Sequence, residues 1–287
     1  MQPATTREFA RNADPALVAR LEEIAARMRV DIIEMLARAG SGHPGGSLSA
    51  IDMVTALYFA VLAHDPKNPR WTGRDRFVLS KGHAVPAVYA VMAEAGYISR
   101  DELLTLRQLG SRLQGHPVSS FVQAPGCEAN TGSLGQGLSV AQGMALAAKV
   151  DGAKWKTYCM LGDGEMQEGQ VWEALMSAPK YGLDNLVAIL DYNKGQIDGP
   201  TNEVMSLEPL DQKLAAFNWH VIRIDGHDIG QFLEAIAEAQ SVTGKPTFII
   251  ADTVKGKGVS FMEGRIEWHG AAPNAEQTKQ ALAELKR

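Results

Sequence analysis

Two short polar stretches interrupt apolar runs in a way that could hold a charged ligand. In TYCMLGDGEMQEGQVWEAL, Gly162, Asp163 and Gly164 stand between a run with strand character and one with helical period. In NLVAILDYNKGQIDG, Asp191, Tyr192 and Asn193 end the next apolar run. One carboxylate and one carboxamide make a poor zinc site. They make a good partial shell for Mg²⁺ or Ca²⁺, leaving room for a main-chain carbonyl, phosphate and water. Gly162 and Gly164 let the backbone approach an anion closely. A helix beginning near Glu168 would offer free N–H groups and a positive dipole end. Together these residues read as a metal-bridged diphosphate site, provided the two strands are neighbours so that Asp163 and Asn193 converge. Taken singly, the first stretch is also an ordinary strand-to-helix turn and the second a polar loop.

A third stretch, GSGHPGG from Gly40 to Gly46, contains G-x-G-x-x-G, the spacing of a dinucleotide-binding turn. That reading requires a strand before the glycines and a helix after them. Here Leu17, Leu21, Ile24, Met28, Ile32, Met35 and Ala39 recur in steps of three and four, which predicts a long amphipathic helix instead. A second helix is expected over 49–60. The order is wrong for a nicotinamide or flavin fingerprint, and no strand precedes Gly40.

Further on, short apolar runs at 77–79, 157–161, 186–190, 220–224 and 247–251 are the candidate strands. Helical periods at 85–95, 138–150, 171–180 and 229–240 separate most of them. Strands apolar along their length and spaced by helices imply an α/β fold, doubly wound, with a mainly parallel sheet covered on both faces. Ligands in such sheets sit beyond the carboxyl ends of the strands, where GDG and DYN fall. With no repeat, low-complexity segment or linker, residues 1–287 read as one domain, 1–16 being a loosely ordered extension.

The chain is 287 residues long and 45% apolar, enough for a substantial core. Its formal net charge of −5 gives no electrostatic reason to bind nucleic acid or an anionic membrane, so any phosphate must be gripped locally. Cys127 and Cys159 are far apart and outside any metal-binding spacing, which suits a reducing cytoplasm. The N-terminal stretch lacks an apolar core, and the uncharged apolar run near Ala84 to Ala93 is about half a membrane span. A soluble, cytoplasmic protein is expected.

GDG followed about thirty residues later by N-x-x resembles the signature of thiamine diphosphate enzymes. SGHPGGSLSAIDMVTALYF, DRFVLSKGHAVPAVYA, QLGSRLQGHP, NTGSLGQGLSVAQGMALA, GDGEMQEGQVWEA and WHGAAP occur in the order found in the N-terminal domain of transketolases. The likeness runs from about Val18 to Pro273. It implies that Asp163, Asn193 and the carbonyl of Gly195 hold Mg²⁺, with Ca²⁺ or Mn²⁺ as substitutes. It also implies that Gly132, Ser133 and Leu134 pass under the thiazolium ring. His83 and His269 would lie near the diphosphate, alongside Gly162, Asp163, Gly164 and Asn193. His43 and His116 would face the ketose hydroxyls and carbonyl, the glycines around His43 making the tight turn that aims it. Imidazole suits such work because it exchanges protons near neutral pH. The resemblance thus implies catalytic roles for His43, His116, His269 and Glu168. Glu168, which would face the partner's activating glutamate, fits an ordinary helix-start acid equally well. His64, His220 and His227 read as structural.

Full-length transketolases usually have proline at the position of Ser133 and asparagine at that of Lys81. Both departures resemble the split, two-gene form of the family. The resemblance therefore implies a separate C-terminal subunit carrying the pyrimidine-binding domain and its activating glutamate, in a complex with two copies of each chain. Sugars or sugar phosphates would be the substrates, and sulfosugars remain open. The α subunit of a 2-oxo-acid dehydrogenase shares the metal motif, but the four histidines and GSLGQG argue against it. A non-catalytic diphosphate-binding protein is the remaining alternative.

Overall fold

In the computed structural model, which describes residues 13–286, five strands form one parallel sheet in the order β1-β2-β3-β7-β6. They are β1 (Arg76–Leu79), β2 (Thr157–Gly162), β3 (Leu186–Tyr192), β6 (His220–Asp225) and β7 (Thr247–Asp252). Each expected strand is present, one or two residues longer at one end. A two-residue antiparallel hairpin, β4 (Gly195–Gln196) with β5 (Gly199–Pro200), follows β3.

Side chains alternate between the two faces of a strand, and both faces here are apolar. Phe77, Leu79, Tyr158, Met160, Val187 and Ile189 enter a core shared with α1 (Pro15–Ala39), α2 (Pro44–Ala56), α3 (Val85–Ala95), α8 (Ile229–Ser241) and α9 (Ala275–Leu285). Val78, Cys159, Leu161, Leu186, Ala188 and Leu190 enter the opposite core, shared with α4 (Gly137–Val150), α5 (Gly169–Lys180) and α7 (Leu210–Ala216). A short α6 spans Thr201–Met205. The doubly wound α/β class is as expected.

Two helix boundaries differ from expectation. α1 starts at Pro15, capped by Asp14, whose side chain accepts the Ala16 N–H at 3.0 Å. Pro15 and Ala16 therefore belong to the helix and not to the extension assigned to 1–16, while residues 1–12 of that extension lie outside the described residues. α2 begins at Pro44 rather than at residue 49 and passes into a π-turn, Leu57–Val61. Proline is well placed in a first turn because the N–H it lacks would have had no partner. No helix among the described residues is long and apolar enough to cross a membrane.

Candidate active site

The carboxyl ends of β1, β2, β3 and β7 bring together segments that are remote in sequence. Gly162 and Asp191 are register partners on adjacent strands, which places Asp163 beside the turn that carries Asn193. Asp163 is 2% exposed. Its Oδ1 accepts the Gly164 N–H at 2.8 Å, whereas its buried Oδ2 has no hydrogen-bond partner. Burial raises its pKa, with attraction to Lys255 opposing and repulsion by Asp191 adding to the shift. Asn193 Oδ1 accepts the Gly195 N–H at 3.2 Å, and its Nδ2 donates to Ser49 Oγ and Asp191 Oδ2, both at 3.3 Å. Gly195 is tightly enclosed: a Cβ there would lie 2.6 Å from Ile266 Cδ1 and 2.7 Å from Lys255 Cε.

Three buried groups here have roles that a reading of the sequence does not give. Asp191, fully buried, accepts from Lys81 Nζ, from Thr253 Oγ1 and, at 2.6 Å, from Ser49 Oγ. Burial raises its pKa, but Lys81 and the hydroxyl donors outweigh that, so the carboxyl stays ionised below the ordinary value. Lys255 is 2% exposed, and burial with repulsion from Lys81 lowers its ammonium pKa to about 8. The third is Glu165. It accepts from Ser80 Oγ, from Gly162 N–H at 3.1 Å and from Gly135 N–H at 3.0 Å, tying the loop of residues 131–137 to the end of β2.

The four histidines singled out by the family motifs converge. Ring centroids lie 5.2 Å apart for His43 and His83, 5.7 Å for His43 and His269, 6.3 Å for His43 and His116, and 5.1 Å for His83 and His269. Burial, helped by the positive charges of Lys81, Lys255 and Arg107, lowers His43 to about 4 and His269 to about 3, and also lowers His83 and His116. The cluster is neutral at physiological pH. Buried Nδ1 atoms of His43 and His269 have no partner.

His43 caps the start of α2. Its turn is made by Gly40 and Gly42 at φ 64° and 132°. Gly45 and Gly46 are instead helical, correcting the expectation that all the glycines form the turn. Their lack of a side chain serves close approach: a Cβ on Gly46 would sit 3.3 Å from Lys81 Nζ and 3.4 Å from His83 Nε2. His116 lies against the loop of residues 131–137, since a Cβ on Gly132 would come within 2.9 Å of its ring. In that loop Ser133 and Leu134 are exposed. Gly135, at φ 87°, abuts Glu168, the exposed residue that precedes α5. The other three histidines are held elsewhere: His64 between Tyr97 and Tyr58, His220 by Glu238, and His227 between Asp52 and the Val254 N–H.

One end of the sheet thus gathers a strand-end carboxylate with an unpartnered oxygen, a carboxamide, a buried lysine and a cluster of four imidazoles. The sequence matches the family described as transketolase, thiamine diphosphate binding domain, over residues 21–286, and the chain belongs to that family. It is 46% identical to one of the subunits of the apulose-4-phosphate transketolase of Phocaeicola vulgatus, over 92% of this chain and 93% of that protein. It is also 46% identical to 6-deoxy-6-sulfo-D-fructose transketolase subunit SqwG of a Clostridium species, over 93% of this chain and 96% of that protein. Human transketolase is 43% identical over 92% of this chain but only 42% of its own length. Among solved structures, transketolase from Campylobacter jejuni superposes with a TM-score of 0.88 at 36% identity, over 94% of this chain and 43% of that one. The chain thus spans about two fifths of a full-length transketolase.

Proposed function

We propose that this chain is the diphosphate-holding subunit of a two-chain transketolase, which moves a two-carbon ketol unit from an anionic ketose to an aldose. The observation that carries the reading is the orphaned, buried Oδ2 of Asp163, at the end of the strand that pairs with the one leading to Asn193. A buried acceptor without a partner calls for a cation, and an Asp, Asn and carbonyl oxygen set suits Mg²⁺, with Ca²⁺ or Mn²⁺ as substitutes. Asp163, Asn193 and the Gly195 carbonyl would hold it. Gly162 and Gly164 would lie beside the phosphate oxygens, which Lys255, His83 and His269 would meet. Gly132, Ser133 and Leu134 would carry the thiazolium ring.

Bound there, thiamine diphosphate would supply a nucleophilic carbon and an electron sink. Held neutral by burial, His43 and His116 can accept a proton from a substrate hydroxyl or donate one to a carbonyl oxygen through a ring nitrogen, with His269 bridging cofactor and substrate. Glu168, exposed next to Gly135, would meet the partner chain. The names of the two relatives matched over nearly their full length support an anionic sugar and a partner chain. That partner would be a C-terminal subunit with the pyrimidine-binding domain, in a complex with two copies of each chain. The continuous sheet supports one diphosphate-binding domain, and two free buried cysteines suit the cytoplasm.

The test is reconstitution. The chain alone, with Mg²⁺ and thiamine diphosphate, should give no ketol transfer, and adding the pyrimidine-domain subunit should restore it in a particle of two copies each by light scattering. Turnover by the chain alone, or an inactive complex with every ketose offered, would refute the assignment.

A further inference from the structure

Lys255 is the buried lysine proposed to meet the phosphate oxygens, and its head is untethered: among the described residues Nζ takes part in no hydrogen bond or ion pair. Its stem runs close to two glycines, since a Cβ on Gly45 would stand 2.8 Å from Cγ and one on Gly195 2.7 Å from Cε. The position of the ammonium is therefore set by the backbone of its own turn, residues 254–257.

One carboxylate holds both ends of that turn. Asp52, on α2 and 6% exposed, accepts on Oδ2 from Arg29 Nη2 at 2.6 Å and from His227 Nδ1 at 2.8 Å. His227 Nε2 accepts the Val254 N–H at 2.8 Å, and Arg29 Nε donates to the Lys257 carbonyl at 3.3 Å. A ring nitrogen that accepts carries no proton, so His227 is the Nδ1–H tautomer, fixed by its two partners. Burial alone would raise the Asp52 carboxyl, but His227 and Arg29 outweigh it and hold the group below its ordinary value, which keeps the anchor charged. Between the two arms the Gly256 N–H donates to the Gly45 carbonyl at 3.0 Å, in the first turn of the same helix.

Stability alone does not call for this arrangement, because well-packed apolar side chains usually serve as well as a buried ion pair. Here a guanidinium and an imidazole, joined by one carboxylate, both end on the four residues that carry Lys255.

We propose that Asp52 and His227 are positioning residues: with Arg29 they fix the Lys255 turn against α2, so that the ammonium stands where a diphosphate group would meet it. The proposal rests on the reading of Lys255 as a diphosphate ligand.

The test is a double-mutant cycle on affinity, by calorimetry of the assembled complex with Mg²⁺ and either thiamine diphosphate or inorganic diphosphate. H227A should weaken both ligands about 10-fold, the scale for losing a group that orients a binding side chain, and K255M should weaken them about 10- to 100-fold. In the K255M background H227A should change neither affinity by more than about twofold, because the group it positions is gone. Urea unfolding of the same four proteins should show the stability lost with His227 in both backgrounds, separating the structural role from the positioning one. H227Q, whose Oε1 can take the Val254 N–H, should recover most of the lost affinity. If H227A fails to fold, R29M cuts the other arm and replaces it in the cycle. Unchanged affinity in H227A, a loss that repeats in full beside K255M, or no recovery in H227Q overturns the proposal while leaving Lys255 a diphosphate ligand. Unchanged affinity in K255M, or a wild-type complex that binds neither ligand, refutes that reading and the proposal with it.

Discussion

Replacing Asp163 with asparagine separates the cost of building the cation site from the benefit of filling it. Asp163 is 2% exposed, and its Oδ2 has no hydrogen-bond partner. An unsatisfied buried acceptor costs about 1–3 kcal/mol, more when charged, and Lys255 offsets part of this. Asparagine keeps the shape and the oxygen that accepts from Gly164, and it removes the charge. Asp163→Asn should therefore raise the stability of the cation-free chain by about 1–2 kcal/mol. In the presence of Mg²⁺ and thiamine diphosphate at about 100 times the dissociation constant, the wild type should gain about 2.7 kcal/mol and the variant almost nothing. The order of stabilities then reverses. Urea unfolding in EDTA, and again with cation and cofactor, measures both halves. A variant less stable than wild type in EDTA, or one that gains as much from cation and cofactor, would refute the reasoning.

Other substitutions probe the rest of the site. His43→Asn should lower kcat/KM about 100-fold at neutral pH with little change in cofactor affinity, as steady-state kinetics and calorimetry would register. It should also blunt acid sensitivity. Burial, then Arg107, holds the folded imidazole at about 4 against 6.5 for the ordinary group, so between those values only the unfolded chain binds the proton and wild-type stability falls as pH falls. Urea midpoints across that window should decline less in the variant. Gly135→Ala places a Cβ 2.7 Å from that of Glu168 at a φ of 87°; it should cost at least about 1 kcal/mol and weaken cofactor binding more than it raises the substrate KM. Lys81→Met leaves Asp191 buried without its cation and should destabilise by about 3–5 kcal/mol, with part recovered in the Lys81→Met, Asp191→Asn double variant, as denaturant unfolding would report.

What can be read from the chain alone follows from how each feature is encoded. Four of the five strands are buried along most of their length, so each is an apolar run bounded by polar residues; the ladder extends past those runs at Gly162, at Asp191 and Tyr192, at Asp252 and, on the more exposed β6, at Asp225, and it begins one residue early at Arg76. The start of α2 is hidden because the helix is buried all round, leaving no period to follow, and because Pro44, Gly45 and Gly46 look like loop. α9 buries only Ala281 completely, too little apolar signal to mark a helix in the sequence. The positions proposed for the metal and those of the clustered histidines are visible through motifs. Lys81, Lys255 and Glu165 are not, because charged residues in glycine-rich stretches read as solvated until packing buries them. Asp191 shows in the sequence only as a polar strand end, and its bonds to Ser49, Lys81 and Thr253 exist only across the assembled sheet.

Asp191 also determines when in folding this site can exist. Its partners are separated from it by 142, 110 and 62 residues, and they come from α2, from the segment after β1 and from the segment after β7. Contacts this distant form only after large loops have closed, so the anchor of Asn193 cannot be assembled by a fragment or early in synthesis. Until β7 has joined the sheet, Asp191 would be a desolvated charge short of donors, which disfavours a partly folded chain that buries it. Cofactor capture is therefore a report on completion: a chain that holds thiamine diphosphate has already closed its sheet from β1 to β7, and cofactor retention can serve as an assay of correct folding before any partner is added.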